Sequence, residues 1–285
     1  GHASVYLDYR KIEAPTKGSR DYLNCFVDAA PDGPFCGGSS TSPMGRFRPF
    51  LADGTSPGDH TLGGPNGDQL GPDFPLLNYA PYNYIQRPDV KWNAGAFGNY
   101  EINKHFDVYM EVMYMNNGTD AVIAPSGNFN TYTQINCNNP MLSAQQVDTV
   151  CTQAGYGPDD IANLVILRRN LEGNPRTDMF RHTSWRMVAG VRGDINDYWS
   201  YDVYGLYAET SAPEMYINDF HEDRSLDAIM ISENPDTGAW ECAAGAAAGC
   251  VPWSIFQEGG VTQEAIAFLE VDAVLMSGGT TYVAN

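Results

Sequence analysis

No run of 18 apolar residues occurs anywhere in the 285 residues, which excludes a transmembrane helix. Positive charge is also scarce: 16 Lys and Arg stand against 35 Asp and Glu, lysine being the rarer, and the formal net charge is -19. A polyanion is bound through a basic stripe, so nucleic acid is not expected as a partner. Catalytic signatures are absent as well. There is no GxSxG elbow, Walker loop, dinucleotide fingerprint, HExxH or CxxC pair. Gly63-Gly64-Pro65-Asn66-Gly67 is glycine-rich but bounded by turn residues and followed by no helix pattern. His221-Glu222-Asp223 are adjacent in sequence, so their side chains diverge, and Asp159-Asp160 read as loop solvation. No enzyme activity, metal or cofactor is expected. Gly1 is not an initiator methionine and no signal peptide precedes it, so the sequence reads as processed or incomplete.

What is present is turn-rich β composition: 43% apolar, 18% charged, 12% aromatic, with 29 glycines and 18 prolines. The run from Trp92 to Ile102 alternates strictly. Trp92, Ala94, Ala96, Gly98, Tyr100 and Ile102 fall on one face, and Lys91, Asn93, Gly95, Phe97, Asn99 and Glu101 on the other. After Asn103-Lys104-His105 the return run places Phe106, Val108, Met110, Val112 and Tyr114 opposite Asp107, Tyr109, Glu111, Met113 and Met115. A second hairpin repeats the design: Trp185, Met187, Ala189, Val191, Gly193 and Ile195 oppose Ser184, Arg186, Val188, Gly190, Arg192 and Asp194. It turns at Asn196-Asp197-Tyr198 and returns from Trp199 to Tyr207. A period of two belongs to strands.

Strands of roughly 10 residues, with short turns at one end and long segments at the other, describe an antiparallel barrel standing in an outer membrane. Six crossings are expected: Ala3–Ile12, Tyr84–Ile102, Asp107–Asn116, His182–Ile195, Trp199–Glu209 and Leu269–Val283. The segments between them, about 13–83, 117–180 and 211–268, would be external loops. Short helices are expected inside them over Ala144–Thr152 with Ser143 as cap, at Leu226–Ile231, and over Thr262–Phe268 with Thr262 as cap. The expected lipid-facing residues are Trp92, Tyr100, Phe106, Val108, Met110, Val112, Trp185, Met187, Val191, Ile195, Trp199 and Tyr201. Phe106, Tyr100, Trp199 and Tyr201 lie near the short turns, where an aromatic girdle would sit. Arg186 and Arg192 are expected to pair with Asp107, Glu111 or Asp194 on the inner face.

Each long segment carries two nearby cysteines, which favours local pairing: Cys25 with Cys36, Cys137 with Cys151, and Cys242 with Cys250. Such pairs imply an oxidising compartment. A metal site or free thiols would be the rival reading, but the five histidines do not cluster near the cysteines.

The segments Asn78-Tyr79-Ala80-Pro81-Tyr82-Asn83-Tyr84-Ile85-Gln86-Arg87-Pro88, Arg168-Arg169-Asn170-Leu171-Glu172-Gly173-Asn174-Pro175-Arg176 and Cys250-Val251-Pro252-Trp253-Ser254-Ile255-Phe256 resemble the barrel of a TonB-dependent receptor of alphaproteobacterial type. Arg192-Gly193-Asp194 and Gly260-Val261-Thr262-Gln263-Glu264-Ala265 add to the resemblance, which runs across nearly the whole chain. It implies a barrel of about 22 strands filled by an N-terminal plug. Neither the plug nor the TonB-engaging box is found, and six crossings cannot close such a barrel. The implied partners are the rest of the barrel and its plug, the TonB complex reached through the plug, lipid and lipopolysaccharide, and a scarce small-molecule or glycan ligand. The implied activity is energised import. Asn130, Tyr132, Asn136, Asp219, His221 and Asp223 are the candidate ligand-binding loop residues. A passive porin-like channel and a secreted glycan-binding β-sandwich are the alternatives; the second requires polar outer faces that the runs from Trp92 and Trp185 lack.

Overall fold

The computed structural model describes residues 1–72 and 75–285; Asp73 and Phe74, inside the first predicted loop, lie outside the described residues. The chain is mostly β, and its largest sheet has eight strands. They are β1 (His2–Ile12), β2 (Asp89–Asn103), β3 (Phe106–Ile123), β4 (Arg176–Asn196), β5 (Trp199–Ser211), β6 (Glu214–Phe220), β7 (Glu270–Leu275) and β8 (Gly278–Ala284). β5 and β6 are one row interrupted at Ala212-Pro213: β5 pairs Thr183–Asn196 of β4, and β6 pairs Thr177–Phe180. β7 pairs β6 and β8 pairs β5, so they too form one row, broken at Met276-Ser277. The result is six antiparallel rows in chain order, an open meander and not a closed barrel. Among the described residues the outer edges of β1 and β8 have no strand partner.

The expected crossings shift at their ends. The row expected from Tyr84 starts at Asp89, because Pro88 and the short helical turn Ala80–Tyr82 precede it. The row expected to stop at Asn116 runs to Ile123, and the one expected from His182 starts at Arg176, so this hairpin rises above its neighbours. The row expected from Leu269 opens with a helix end at that residue.

The tight turns share one device. Asn103 Oδ1 accepts the His105 N–H at 2.8 Å, and Asn196 Oδ1 accepts the N–H groups of Tyr198 and Trp199 at 2.9 and 3.1 Å. An asparagine side chain that stands in for a backbone acceptor closes each hairpin.

The long segments are not separate loops. They contribute to one packed body above the sheet, here termed the crown. Its own sheet orders Arg46–Pro49, Ile161–Arg169 and Gly127–Asn136. Phe47 from the first segment, Ile135 and Leu164 from the second, and Ile229, Trp253 and Phe256 from the third are fully buried together. The Phe47 and Phe256 rings lie 5.2 Å apart. Of the large side chains, those most completely buried belong to the crown and not to the long sheet.

The helices are α1 (Ala144–Val147), α2 (Glu222–Asp227) and α3 (Gln263–Leu269). Ser143 caps α1 with a full capping box, and a wider helical turn continues over Asp148–Thr152. Thr262 caps α3 through Oγ1, which accepts the Ala265 N–H at 3.2 Å. The helical turn expected at Leu226–Ile231 instead starts at Glu222 and ends by Asp227, with Ile231 opening a short strand. His221 serves as its cap, an acceptor role that the sequence pattern does not signal. The three disulfides are the expected local pairs.

Candidate functional site: two sheet faces and a crown cleft

The pairing registers place side chains across all six rows. Val5, Ala96, Val112, Met187, Tyr207 and Tyr282 stand in line, each opposite the next. Leu7, Ala94, Tyr114 and Trp185 form the line above. Tyr100, Val108, Val191 and Val203 form one below. By strand parity all twelve residues expected to face lipid share this side of the sheet. The face is open: Leu7 is 72% exposed, Met110 50% and Trp199 70%.

Its two ends are aromatic. Tyr100, Phe106, Trp199 and Tyr201 sit by the short turns. At the far end Tyr9 packs on Trp92 at 4.4 Å, Trp185 on Tyr207 at 4.7 Å and Tyr207 on Tyr282 at 4.9 Å. This second row was not anticipated, because it joins residues from five separate runs. Beyond it the face turns polar with the Arg181–Asp120 ion pair at 2.7 Å. From Phe106 to Tyr114 the strand covers roughly 27 Å.

The opposite face is a hydrogen-bonded polar wall. Arg186 pairs Glu111 and Arg192 pairs Asp107, each at 2.8 Å. Tyr109 Oη donates to Asp202 at 2.8 Å, Asn99 to Asp107 at 3.2 Å and Asn93 to Asp8 at 3.0 Å. Aromatic rings cover two glycines on the neighbouring strands of this face. A Cβ at Gly95 would fall 2.2 Å from the Tyr6 ring, and one at Gly190 would fall 2.5 Å from the Tyr109 ring. A side chain at either position would displace the tyrosine.

Among the described residues no hydrogen bond joins any two of the six candidate ligand residues. Asn130 is the bulged residue of the crown sheet, at φ 67°, and Tyr132 is exposed against the Phe50 ring at 5.8 Å. Asn136 Nδ2 donates to the Ile231 carbonyl at 2.8 Å, joining the second and third segments. Asp219 accepts from Ser126 Oγ at 3.1 Å, His221 caps α2, and Asp223 lies exposed in its first turn.

The Arg168–Arg176 stretch forms the seam between crown and sheet. Arg169 Nη1 donates to the Pro125 carbonyl and Arg176 Nε to that of Ala124, each at 3.0 Å. Asn174 donates its backbone and side-chain N–H groups to the two Glu270 oxygens, at 2.6 and 2.8 Å. Burial, with the nearby Arg176 charge, brings the Arg169 guanidinium down to about 10, and the Phe129 ring lies 4.6 Å beneath it.

A cleft of about 600 Å³ opens in the crown, in the size range of small-molecule sites. Its apolar lining comes from Pro140, Met141, Leu142, Trp240, Pro252 and Phe256. The Cys137–Cys151 bridge spans one wall, and Cys242–Cys250 joins the segment between Trp240 and Val251 on the other. None of the candidate residues lies in it. The only available sequence signal was the cysteine spacing that brackets these walls.

Comparison with protein-family models, with curated proteins and with solved structures returned no match.

Proposed function

We propose that the chain forms part of the wall and the external capture surface of a TonB-dependent outer-membrane receptor. The observation that carries this reading is the single exposed apolar face, aromatic at both ends and backed by a paired polar face. Soluble monomers rarely expose a contiguous apolar surface of this extent. A barrel wall faces lipid on one side and a wet or plugged lumen on the other. The sheet's two unpartnered edges support the presence of further strands, since each unpaired backbone group in lipid costs several kcal/mol. In this reading the crown captures a scarce ligand outside the cell. Force relayed by TonB then displaces a plug, and the ligand passes along the face carrying Glu111, Arg186, Asp107 and Arg192.

Membrane fractionation followed by intact-mass and peptide mapping of detergent-extracted native material tests this. Recovery with the outer membrane, at a mass above 31.2 kDa and with plug peptides, is the expected result. A full barrel without a plug would make it a passive channel. A protein recovered without detergent would make it a secreted sandwich.

A further inference from the structure

We infer that the crown cleft binds a small molecule with an apolar, flat body and one hydrogen-bond-donating head, preferably cationic, and that it rejects carboxylates. The inference rests on the capture reading for its biological use, but the chemistry follows from the cleft itself.

Most polar side chains that line the cleft are already engaged within the chain. Ser143 Oγ donates to the Asp68 carbonyl at 2.7 Å, and Gln146 Nε2 donates to the Phe256 carbonyl at 2.7 Å. Gln257 Nε2 donates to the Asn66 carbonyl at 2.9 Å, and Thr262 Oγ1 caps α3. A sugar presents several hydroxyls, each of which must find a partner when desolvated. The cleft has too few free groups for that.

What remains, beside the Ser254 hydroxyl and the Trp240 indole N–H, is an acceptor. Among the described residues Asp68 Oδ1 is buried without a hydrogen-bond partner, and Asp68 lines the cleft. It is the one formal charge in the lining, which holds no Lys, Arg or His. An uncompensated carboxylate beside an apolar surface favours a donor or a cation and repels an anion. The chain's net charge of -19 acts in the same direction at longer range. Trp240, 45% exposed at the cleft, offers an indole to stack on a flat or cationic ligand.

Three probes that share the indole ring and differ in side chain and charge separate these effects on the detergent-purified chain: tryptamine, indole and indole-3-acetate, followed by saturation-transfer NMR and calorimetry. Tryptamine is expected to bind about tenfold more tightly than indole, as a charge-assisted contact requires, and indole-3-acetate more weakly than either. Asp68→Asn should bring tryptamine to the level of indole. Trp240→Ala, at a side chain 45% exposed, should weaken tryptamine and indole together. Equal affinity for the three probes, no binding of any, or tryptamine binding unchanged in both variants would overturn the inference. Probe binding reports on the cleft alone, whereas fractionation and peptide mapping report on the receptor reading, so the failure of one is distinguishable from failure of the other.

Discussion

Gln146, fully buried, donates from Nε2 to the carbonyl oxygen of Phe256 at 2.7 Å and thereby ties the second long segment to the third. Its Oε1 accepts the Ser143 N–H at 2.9 Å, so one side chain satisfies two backbone groups. Gln146→Leu would leave both without a partner. A cost of about 1–3 kcal/mol is expected, measured as a lower urea midpoint for loss of the crown's near-UV signal. An unchanged midpoint would mean that water replaces the amide.

The apolar face makes a depth-dependent prediction. Met110→Lys and Ala189→Lys lie opposite one another in the middle of the band. If that face meets lipid, each should cost about 2–4 kcal/mol in bilayer refolding experiments. Met113→Lys, whose parity places it on the polar face, should cost far less. Equal costs on both faces would remove the lipid assignment.

The disulfides should open in order of burial. Cys137 and Cys151 are 3% and 1% exposed, while Cys36 is exposed. Stepwise reduction with alkylation and mass mapping is expected to label Cys25 and Cys36 before Cys137 and Cys151. Removing the buried bridge by Cys137→Ser and Cys151→Ser together should cost about 3 kcal/mol.

Asp59 gives the crown an acid-sensitive tie. Burial raises its carboxyl, but hydrogen bonds from Arg48 and Arg46 and their charges outweigh that, and the net direction is down from 3.8. A folded value below the unfolded one contributes stability that is complete above the unfolded value and is lost as pH falls through the folded one. Crown stability should therefore decline as pH drops below about 4, and Asp59→Asn should flatten that part of the profile. An equal decline in the variant would assign the acid sensitivity to other carboxylates.

How much was legible differs between the two halves of the molecule. Strand parity is local: once Trp92, Val112 and Trp185 alternate with charged neighbours, the faces follow from a period of two. The Asn103 and Asn196 turns and the three cysteine pairs act over a few residues, and they too could be read in the sequence. The far aromatic row was hidden, because the register that brings Tyr9, Trp92, Trp185, Tyr207 and Tyr282 into one band is set between strands.

The crown was not legible at all as a unit. Its core residues, Phe47, Ile135, Leu164, Ile229 and Trp253, come from segments with no sustained periodicity, so nothing in their order marks them as neighbours. The same holds for Asn136 and Asp219, whose hydrogen-bond partners Ile231 and Ser126 lie 95 and 93 positions away in the chain. The sequence alone determined the strands, their two-sidedness, the tight turns and the bridges, because each depends on residues within a few positions of one another. Only the tertiary structure decided that the long segments share one core and enclose a cleft, because burial is settled by contacts between residues a hundred or more positions apart.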